Sequence, residues 1–312
     1  MKVGFQIDSI STLNFKTDSS LPIILESQKR KNQNYCFLPS SLTYKNNSVY
    51  AVVREIHFKK NKIEDYTLGV EKTAKLNTYR YIFVRQDPPY NMEYISSMHL
   101  LEQIKGKTFI INNPKGIRNA PEKISMLSYK KIIPPTIITR SKGEVKNFLN
   151  KYKKCVIKPL YGNGGEGIFL LDNIDKNFNQ IIELFIQKQS EPFIVQKFIP
   201  EIKKGDKRII LINGEPIAAL KRVPKSNDIR SNIHVGGSCE AAEISKSDKL
   251  ICEKIKKFLK DEGLFFVGID IIGKYLTEIN VTSPTCIQEI KKHHKIDVAN
   301  IIWKKLTHLT KT

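Results

Sequence analysis

The chain has no long hydrophobic run, an odd number of cysteines and a single tryptophan. None of its apolar stretches approaches the about 18 consecutive residues of a transmembrane helix, and its N-terminus lacks the apolar core of a signal peptide. Its five cysteines include no Cys-x-x-Cys pair, a pattern that fits neither a disulfide framework nor a structural zinc site. We therefore expect a cytoplasmic protein with no membrane segment, whose cysteines are mostly small buried hydrophobic residues.

Arginine is scarce, although the chain is strongly basic. The formal net charge is +21, yet only nine of the 52 basic residues are arginine, and the lysines are spread along the whole chain. Direct readout of nucleic-acid bases depends heavily on arginine, so the pattern favours a solvated lysine coat, and no nucleic-acid partner is expected. A lysine-rich nucleic-acid-binding module is the alternative from another functional class. It predicts an affinity for DNA that falls steeply with salt.

The glycine-rich segment at 162–167 is not followed by Gly-Lys-Ser/Thr, which excludes a P-loop. It matches the dinucleotide-binding pattern G-x-G-x-x-G, but that fingerprint must open a helix. Here an apolar strand at 155–158 precedes the glycines, and a second apolar strand at 168–171 follows them. Two strands joined by a glycine loop favour a flap that lays backbone amides over phosphates. The alternative is a flexible surface hairpin.

Strand and helix signals alternate along the chain, which is typical of an α/β protein, and 312 residues suffice for two or three packed units. Strands are predicted at 3–8, 81–84, 109–111, 155–158, 168–171, 208–212 and 216–220. Helices are predicted at 21–31 and 92–105, and a further helix begins after Ser141. Domain boundaries are expected near residue 120 and near residues 198–204.

Three side chains with hard oxygen atoms lie on two short apolar strands near the C-terminus: Asp270 on the first, and Glu278 and Asn280 on the second. Mg²⁺ prefers a few such oxygens together with water and phosphates, so the pattern predicts a magnesium site. A two-residue turn at 273–274 would pair Asp270 with Thr277 and turn Glu278 away. We therefore predict a three-residue or bulged connection, which a glycine at this turn can accommodate. The alternative is an ordinary hairpin with solvated acids.

These and other motifs, in chain order, make the sequence resemble the bacterial glutathione synthetases, members of the ATP-grasp ligase superfamily. The matching segments are Arg85-Gln-Asp-Pro-Pro89, Asn112-Asn-Pro114 with Arg118, Glu122-Lys123, the run from Lys158 to Gly165, Gly205-Asp-Lys-Arg208, Asp270-Ile-Ile-Gly273 and the run from Thr277 to Cys286. The resemblance covers nearly the whole chain. It departs from the family at Tyr161, where Asp is usual, and at 224–230, which is poorer in glycine.

The resemblance implies the ATP-grasp fold in three parts: an N-terminal open α/β substrate domain at 1–121, a central lid subdomain with the glycine-rich flap at 122–199, and a C-terminal mixed-sheet subdomain at 200–312. It implies ATP as co-substrate with Mg²⁺, Mn²⁺ being the alternative metal, and a homotetramer. The ATP-binding residues it implies are Lys123, Lys158, Gly162, Gly164, Gly165, Gln196, Phe198 and Ile199.

The activity that the resemblance implies is ligation of glycine to the cysteinyl carboxylate of γ-glutamylcysteine through an acyl phosphate, giving glutathione, ADP and phosphate. Arg208 and Arg222 lie at opposite ends of a hairpin that Asn213-Gly214 predicts, so they can converge on one end of the sheet and stabilise the developing negative charge. The candidates for substrate binding are Asp8, Arg85, Asp206, Ser283, Pro284 and Thr285. Another ATP-grasp carboxylate-amine ligase, acting on a peptide end, is the alternative within the class.

Residues 223–239 are predicted to form a mobile loop that closes over the site. Pro224, the polar run 225–228 and Gly236-Gly237 are poor material for a helix or strand, and structureless loops of about this length are usually functional or disordered. An acyl phosphate is lost to water unless its site is closed, which is the expected role of the loop. The alternative is a surface loop without function.

Overall fold

The computed structural model describes residues 1–106, 108–225, 228, 230 and 237–310. An eight-stranded sheet and three helices form the N-terminal unit. The strands are β1 (Lys2–Gln6), β2 (Gln33–Phe37), β3 (Thr43–Lys45), β4 (Ser48–Phe58), β5 (Tyr66–Leu68), β6 (Lys72–Lys75), β7 (Tyr81–Val84) and β8 (Phe109–Ile111), and the helices are α1 (Ser20–Lys29), α2 (Met92–Leu101) and α3 (Pro114–Asn119). The strand order is β3-β4-β2-β1-β7-β8, with β5 and β6 also paired to β4.

The first unit contains the elements that the sequence predicts. Strands β7 and β8 have the predicted bounds, whereas α2 ends at Leu101 rather than at residue 105. Helix α1 begins where the Asp18 carboxylate accepts a hydrogen bond from the Leu21 amide at 2.7 Å. Strands β1, β2, β7 and β8 are mutually parallel, so their carboxyl ends meet at one edge of the sheet, where ligands of open α/β sheets bind.

A four-stranded antiparallel sheet with two helices forms the central unit. Its elements are β9 (Thr136–Thr139), α4 (Lys142–Tyr152), β10 (Lys154–Pro159), β11 (Phe169–Asp172), α5 (Phe178–Lys188) and β12 (Phe193–Lys197), in the sheet order β11-β10-β12-β9. Helix α4 begins after Ser141, whose hydroxyl accepts a hydrogen bond from the Glu144 amide, as the sequence predicts. Strands β10 and β11 form a hairpin that encloses the glycine-rich loop. No helix follows the loop directly, so the dinucleotide-binding interpretation is excluded.

The C-terminal unit is a five-stranded sheet with three helices. Its elements are β13 (Asp206–Ile212), β14 (Glu215–Val223), β15 (Ser238–Ala242), α6 (Lys246–Asp261), β16 (Phe266–Ile272), β17 (Tyr275–Asn280), α7 (Ile287–His294) and α8 (Val298–Leu309), in the sheet order β15-β14-β13-β16-β17. The Asn213-Gly214 turn joins β13 to β14 with Ile212 opposite Glu215, so the predicted hairpin is confirmed.

The C-terminal sheet is antiparallel at every strand pair that the structure describes, which corrects the expectation of a mixed sheet. Strands β13 and β14 form one hairpin and β16 and β17 form another, and hairpins are antiparallel by necessity. Helix α6 carries the chain across the sheet from β15 to β16, which pairs with β13 in the opposite direction. The strand signals in the sequence did not reveal the direction of β16 relative to β13. That direction depends on the edge of the sheet at which the connection through α6 ends.

The N-terminal and C-terminal units are packed directly against each other. Trp303 of α8 is fully buried, lies against the rings of Tyr81 and Phe83, and donates a hydrogen bond to the carbonyl of Ile23. After β8, the side chain of Asn112 bonds to the backbone at the start of β16 and just after β17. The strand that ends in Asn280 is therefore held against the edge where the parallel strands end.

Two further expectations concern the cysteines and the helices. All five cysteines are free and four are buried, with Cys239 half-buried, which agrees with their expected role as small hydrophobic residues. Among the described residues, no helix combines the length and the apolar character needed to cross a bilayer.

The predicted mobile loop at 223–239 lies only partly within the described residues. Its ends are strand residues, because Val223 of β14 pairs with Ser238 of β15. Residues 226, 227, 229 and 231–236 lie outside the described part of the chain.

Candidate active site

A cleft of about 700 Å³ lies where the three units meet. The cleft is lined by the carboxyl ends of the parallel strands, the glycine-rich loop, β13, β14, β17 and the segment that follows β17. Predicted residues brought together here are Lys123, Lys158, Gly162, Gly164, Gly165, Arg208, Arg222, Glu278, Asn280, Ser283 and Thr285. They lie between positions 123 and 285, and only the packing of the central and C-terminal units makes them neighbours.

A smaller cavity of about 90 Å³ adjoins the cleft and has mainly apolar walls. Phe198 and Ile199, which follow β12, contribute to its walls together with Gln196. The Gln196 amide donates to the Thr136 hydroxyl at 3.0 Å, which orients the side chain. The backbone N–H of Phe198 already donates to the carbonyl of Lys154 at 3.0 Å, so it is occupied within the sheet. Lys158, Arg222 and Glu278 line both cavities and connect them.

Two buried lysines share one carboxylate at the junction of the cavities. Lys123 and Lys158 are only 4% and 7% exposed, and each ammonium lies 3.8 Å from the same oxygen of Glu278. Burial lowers the pKa of Lys158, although the Glu278 carboxylate opposes this shift. Lys123 also donates to the carbonyl of Gly162 in the glycine-rich loop. Two ammonium groups beside one carboxylate leave an excess of positive charge next to the loop amides, which suits phosphate.

Strands β16 and β17, which carry the three candidate metal ligands, have the register that the sequence predicts. Asp270 lies opposite Glu278, and Gly268 lies opposite Asn280, so the three candidate ligands share one face of the sheet. The turn itself has two residues, with Gly273 at φ 58°, and a bulge between Asp270 and Ile271 restores the pairing. The predicted bulge is therefore confirmed. It lies within the strands rather than in the turn.

Both candidate catalytic arginines converge on Asp270. The Arg208 guanidinium binds the carboxylate through two nitrogens, one at 2.8 Å, and Arg222 reaches it at 2.9 Å. Arg222 also binds both carboxylate oxygens of Asp206. All four side chains are buried. Burial raises the pKa of Asp270, but Arg208 and Arg222 outweigh this effect and hold the pKa well below its usual range.

The candidate ligands fit a divalent ion bound mostly by substrate and water. Asp270 shares its oxygens with two arginines, Glu278 meets cations only at 3.8 Å, and Asn280 lies 3.4 Å from Asp270. In the described ranges, no three His, Cys, Asp or Glu side chains are grouped so as to hold a metal ion. Mg²⁺ commonly binds through one or two carboxylates plus phosphates and water, so this donor set suits it.

Several predicted substrate residues lie beside the cleft rather than in its walls. Arg85 is 3% exposed, donates to the Ser20 hydroxyl and to the Pro284 carbonyl, and lies over the Phe266 ring. Asp8 accepts a hydrogen bond from the Asp87 amide, and Asp206 lines the smaller cavity. Ser283 and Thr285 do line the cleft. Arg85 therefore supports the Ser283–Thr285 segment from behind.

The sequence did not reveal an acidic side of the cleft. Asp18, Asp87 and Glu289 line it together with Glu122. Burial raises the pKa of Glu122 to about 7, against the opposing effect of Lys123. Glu122 accepts a hydrogen bond from the Thr282 hydroxyl at 3.0 Å. Asp87 and Glu122 belong to two of the motifs that match the family, Arg85–Pro89 and Glu122-Lys123. The motifs themselves did not show that these two carboxylates line the cleft.

The charges on opposite sides of the cleft are therefore opposite in sign. The basic side consists of Lys123, Lys158 of β10, Arg208 of β13 and Arg222 of β14, whereas the N-terminal unit and α7 contribute the carboxylates of Asp18, Asp87 and Glu289. A ligand that carries both phosphate or carboxylate groups and an ammonium group matches this arrangement.

Comparison with known proteins agrees with this architecture. The family description "Prokaryotic glutathione synthetase, N-terminal domain" matches residues 1–118, and "Prokaryotic glutathione synthetase, ATP-grasp domain" matches residues 122–295. The chain is 42% identical to the glutathione synthetase of Agrobacterium fabrum, over 96% of this chain and 94% of that one. It is 43% identical to that of Brucella melitensis, over 97% of each.

Solved structures with the same fold are more distant in sequence. D-cycloserine synthetase DcsG superposes with a TM-score of 0.71 at 10% identity, over 99% of this chain and 100% of that one. ATP-grasp ligase PsnB, complexed with minimal precursor, Mg and ADP, superposes with a TM-score of 0.63 at 15% identity, over 100% of this chain and 98% of that one. These two likenesses show the ATP-grasp fold alone. The family matches and the curated relatives, which span nearly the whole chain, go further: this chain belongs to the prokaryotic glutathione synthetase family of ATP-grasp ligases.

Proposed function

We propose that this protein joins glycine to the cysteinyl carboxylate of γ-glutamylcysteine at the expense of ATP, giving glutathione, ADP and phosphate. The observation that carries the proposal is the geometry around Glu278. Two buried lysines and the glycine-rich loop lie on one side of this carboxylate, and the Arg208–Asp270–Arg222 cluster lies close by. Such a site suits a triphosphate beside a reacting carboxylate.

The phosphates of ATP would lie between the two lysines and the glycine-rich loop. Lys123 and Lys158 would contact the phosphates, and the backbone at Gly162, Gly164 and Gly165 would cover them. The smaller cavity then takes the adenine, with Phe198 and Ile199 as apolar walls. Gln196 contributes polar atoms at the same place.

Glu278, Asn280 and Asp270 would hold Mg²⁺, or Mn²⁺ as the alternative. When bound, a divalent ion neutralises the charge that builds on the transferring phosphoryl group. The short contacts of Asp270 with both arginines place the ligands and the catalytic cations within one rigid cluster. The ligands therefore need little reorganisation during the reaction.

Arg208 and Arg222 would stabilise the reacting groups. The cysteinyl carboxylate attacks the γ-phosphate, ADP leaves, and an acyl phosphate forms. The amine of glycine then attacks the acyl carbon, the tetrahedral oxyanion collapses, and phosphate leaves. Negative charge develops next to the cleft face of the arginines in both steps, so fixed guanidinium groups lower both barriers.

The acidic side of the cleft would receive the ammonium group of the γ-glutamyl moiety. Asp87 is exposed at this side, and Glu289 approaches it from α7. Ser283 and Thr285 offer hydroxyls close by, with Arg85, Pro284 and Asp8 supporting the pocket from outside. Asp206 would act through Arg222, which it holds in place.

This assignment predicts the substrate dependence of an Asp87→Asn variant. Loss of one carboxylate should raise the KM for γ-glutamylcysteine about fivefold to tenfold and leave the KM for ATP unchanged, because the ATP phosphates lie on the basic side. Glutaryl-cysteine, which lacks the ammonium group, should be used equally by the variant and the unmodified enzyme. An equal change for both peptides would contradict the assignment.

Phosphate release tests the activity. The enzyme should release phosphate from ATP only when both γ-glutamylcysteine and glycine are present, and other dipeptide and amine pairs should be poor substrates. Preference for a longer peptide end would identify a different ATP-grasp ligase activity. Release that depends on neither substrate would refute the proposal. Salt-dependent DNA binding without ligase activity would favour the nucleic-acid alternative.

The family resemblance supports two further proposals. We infer a homotetramer, which sedimentation equilibrium tests directly, and a cytoplasmic location, which cell fractionation tests. The proposed substrates are small molecules, and no nucleic-acid or membrane partner is proposed.

A further inference from the structure

Tyr161 connects the glycine-rich loop to the N-terminal unit. It lies between the end of β10 and Gly162. Its ring stacks on that of Tyr90, with centroids 5.8 Å apart and planes inclined by 24°. Tyr90 precedes α2 and packs in turn on Tyr94, with centroids 5.6 Å apart. The stack therefore crosses from the central unit to the N-terminal unit.

The partner of Tyr161 is firmly held. Tyr90 is 9% exposed, belongs to the main hydrophobic core and donates from its hydroxyl to the Arg118 carbonyl at 2.6 Å. Tyr161 is 36% exposed, and within the described residues its hydroxyl has no hydrogen-bond partner. The ring of Tyr161, rather than its hydroxyl, therefore makes the contact between the units.

The loop is closely packed at both ends, because a Cβ atom at Gly167 would lie 2.8 Å from Pro159. Lys123 donates to the carbonyl of Gly162, and a Cβ atom at Gly162 would lie 2.9 Å from Pro159, so the backbone here fits closely. A Cβ atom at Gly164 would meet nothing within 4 Å. The middle of the loop thus has open space beside it, and its position depends on how its base is held.

We propose that Tyr161 is a positioning residue for the nucleotide phosphates. Its stacking on Tyr90 holds the base of the glycine-rich loop, so that the loop amides are already in place when Mg-ATP binds. Without the stack, part of the binding free energy is spent on ordering the loop. The inference rests on the proposed function, because it takes the loop to be the phosphate cover.

Loss of the stack should weaken nucleotide binding and leave kcat unchanged. The loop contacts ATP in the ground state and in the transition state alike, and loss of such uniform binding raises KM without lowering kcat. From the usual strength of aromatic pairs, the Kd for Mg-ADP and the KM for ATP should rise about threefold to tenfold in a Tyr161→Leu variant. The KM for γ-glutamylcysteine and kcat should stay within about twofold of their original values, since neither Tyr161 nor Tyr90 lines the cleft.

Conservative variants separate the ring from its hydroxyl. Tyr161→Phe keeps the stack and should bind Mg-ADP as the unmodified enzyme does. Tyr90→Phe loses its hydrogen bond but keeps its ring, so it should also retain affinity. In a Tyr90→Leu background, Tyr161→Leu should cause little further loss, because the partner ring is already absent.

Phe169→Leu is the matched control. Phe169 is 39% exposed and packs edge-to-face on Phe185, with centroids 5.9 Å apart, but this contact stays within the central unit. The Phe169→Leu substitution removes a similar aromatic contact near the same loop. Because this contact does not join the loop to the N-terminal unit, nucleotide affinity should be unchanged. Calorimetric titration with Mg-ADP and steady-state kinetics on all variants provide the measurements.

The outcomes are distinguishable. Unchanged affinity in Tyr161→Leu would overturn the inference, as would an equal loss in Tyr161→Phe or in Phe169→Leu. A fall in kcat with an unchanged KM for ATP would overturn it as well. If the unmodified protein fails to bind Mg-ADP, the proposed function itself fails, whatever the variants do.

Discussion

At the scale of single residues, the cleft is organised around buried charges that are only partly neutralised. Asp270 has two arginine partners, and Glu278 has two lysine partners at longer distance. A buried charge without compensation is costly, so a site with surplus cations is completed when an anionic ligand binds. Glu278 is the carboxylate that both the lysines and the proposed metal ion would share.

Glu278→Ala should therefore impair catalysis more than folding. Loss of the ligand that helps to neutralise the phosphoryl group should lower kcat about 100-fold or more, equivalent to about 3 kcal/mol. The variant should still fold but be less stable, because Lys123 and Lys158 lose the carboxylate that they share at 3.8 Å. Steady-state kinetics and circular dichroism provide the measurement. Glu253→Ala, at an exposed site on α6, should keep full activity, and an active Glu278→Ala enzyme would contradict the site.

Glu122 should make the stability of the free enzyme depend on pH. Burial raises its pKa to about 7, whereas the ordinary value is 4.5. A carboxyl group with a raised pKa in the folded state favours folding when protonated. Its contribution is therefore full below about pH 4.5 and is lost as the pH rises towards 7.

Glu122→Gln tests this dependence. The neutral amide can still accept the hydrogen bond from Thr282, so the variant should match the unmodified protein at pH 4.5. At pH 8 it should be more stable by up to about 3 kcal/mol, because the cost of a buried charge is removed. Urea unfolding at both pH values provides the measurement. A constant difference between the two proteins at all pH values would show that Glu122 does not titrate in this range.

At the scale of elements, the hairpins determine where the functional side chains point. The bulge between Asp270 and Ile271 keeps Asp270 opposite Glu278 despite a two-residue turn. In the β10–β11 hairpin, the glycine-rich loop fits closely against Pro159 at its base. Both the bulge and the close fit of the loop depend on the exact position of the backbone. A side chain added where the backbone fits closely would displace it.

Gly162→Ala should disturb the loop without unfolding the protein. The added Cβ would lie 2.9 Å from Pro159, so the loop base must shift. The KM for ATP should rise about tenfold, while the unfolding midpoint stays nearly unchanged, because the loop contributes little to the core. In the control variant Gly143→Ala, Cβ meets only the Ser141 hydroxyl at 3.7 Å. This change in α4 should stabilise the protein by up to about 1 kcal/mol and leave the KM for ATP unchanged.

At the scale of the whole molecule, the site depends on how the first and last units are joined. The buried side chain of Asn112 accepts from the Phe266 amide at 2.7 Å and donates to the carbonyls of Phe266 and Val281 at 2.7 and 2.8 Å. One amide group thus joins the end of β8 to the start of β16 and to the segment after β17. This junction places β16 and β17 beside the parallel sheet.

Asn112→Ala should therefore be strongly destabilising. It leaves three buried backbone groups without partners, which should cost about 3–5 kcal/mol of the free energy of unfolding. Asn112→Asp can still accept a hydrogen bond from the Phe266 amide but cannot donate to the two carbonyls. It should therefore recover little of the stability that Asn112→Ala loses. Asn173→Ala, on the surface after β11, should change stability by less than about 0.5 kcal/mol. Chemical denaturation measures all three, and a mild effect of Asn112→Ala would contradict the role of this junction.

The sequence was most informative where a local pattern carries its own geometry. The Asn213-Gly214 turn, the Ser141 cap and the strands on each side of the glycine-rich loop all follow from nearest-neighbour chemistry. The parity of 270, 278 and 280 required a three-residue or bulged connection, and the structure has the bulge. The sequence was least informative about side chains whose surroundings come from other units. Arg85 is turned into the interior, and Asp18, whose carboxylate caps α1, also lines the cleft.

The sequence by itself determined the elements, the antiparallel hairpins and the types of residue that suit phosphate and metal chemistry. These depend on interactions over a few residues, whose energies do not require the rest of the chain. Only the tertiary structure decided that the C-terminal sheet is antiparallel throughout its described strands, that Arg208 and Arg222 meet at Asp270, and that carboxylates face the lysines across the cleft. Such features depend on contacts between segments far apart in sequence, and burial and pKa shifts exist only after those segments have packed.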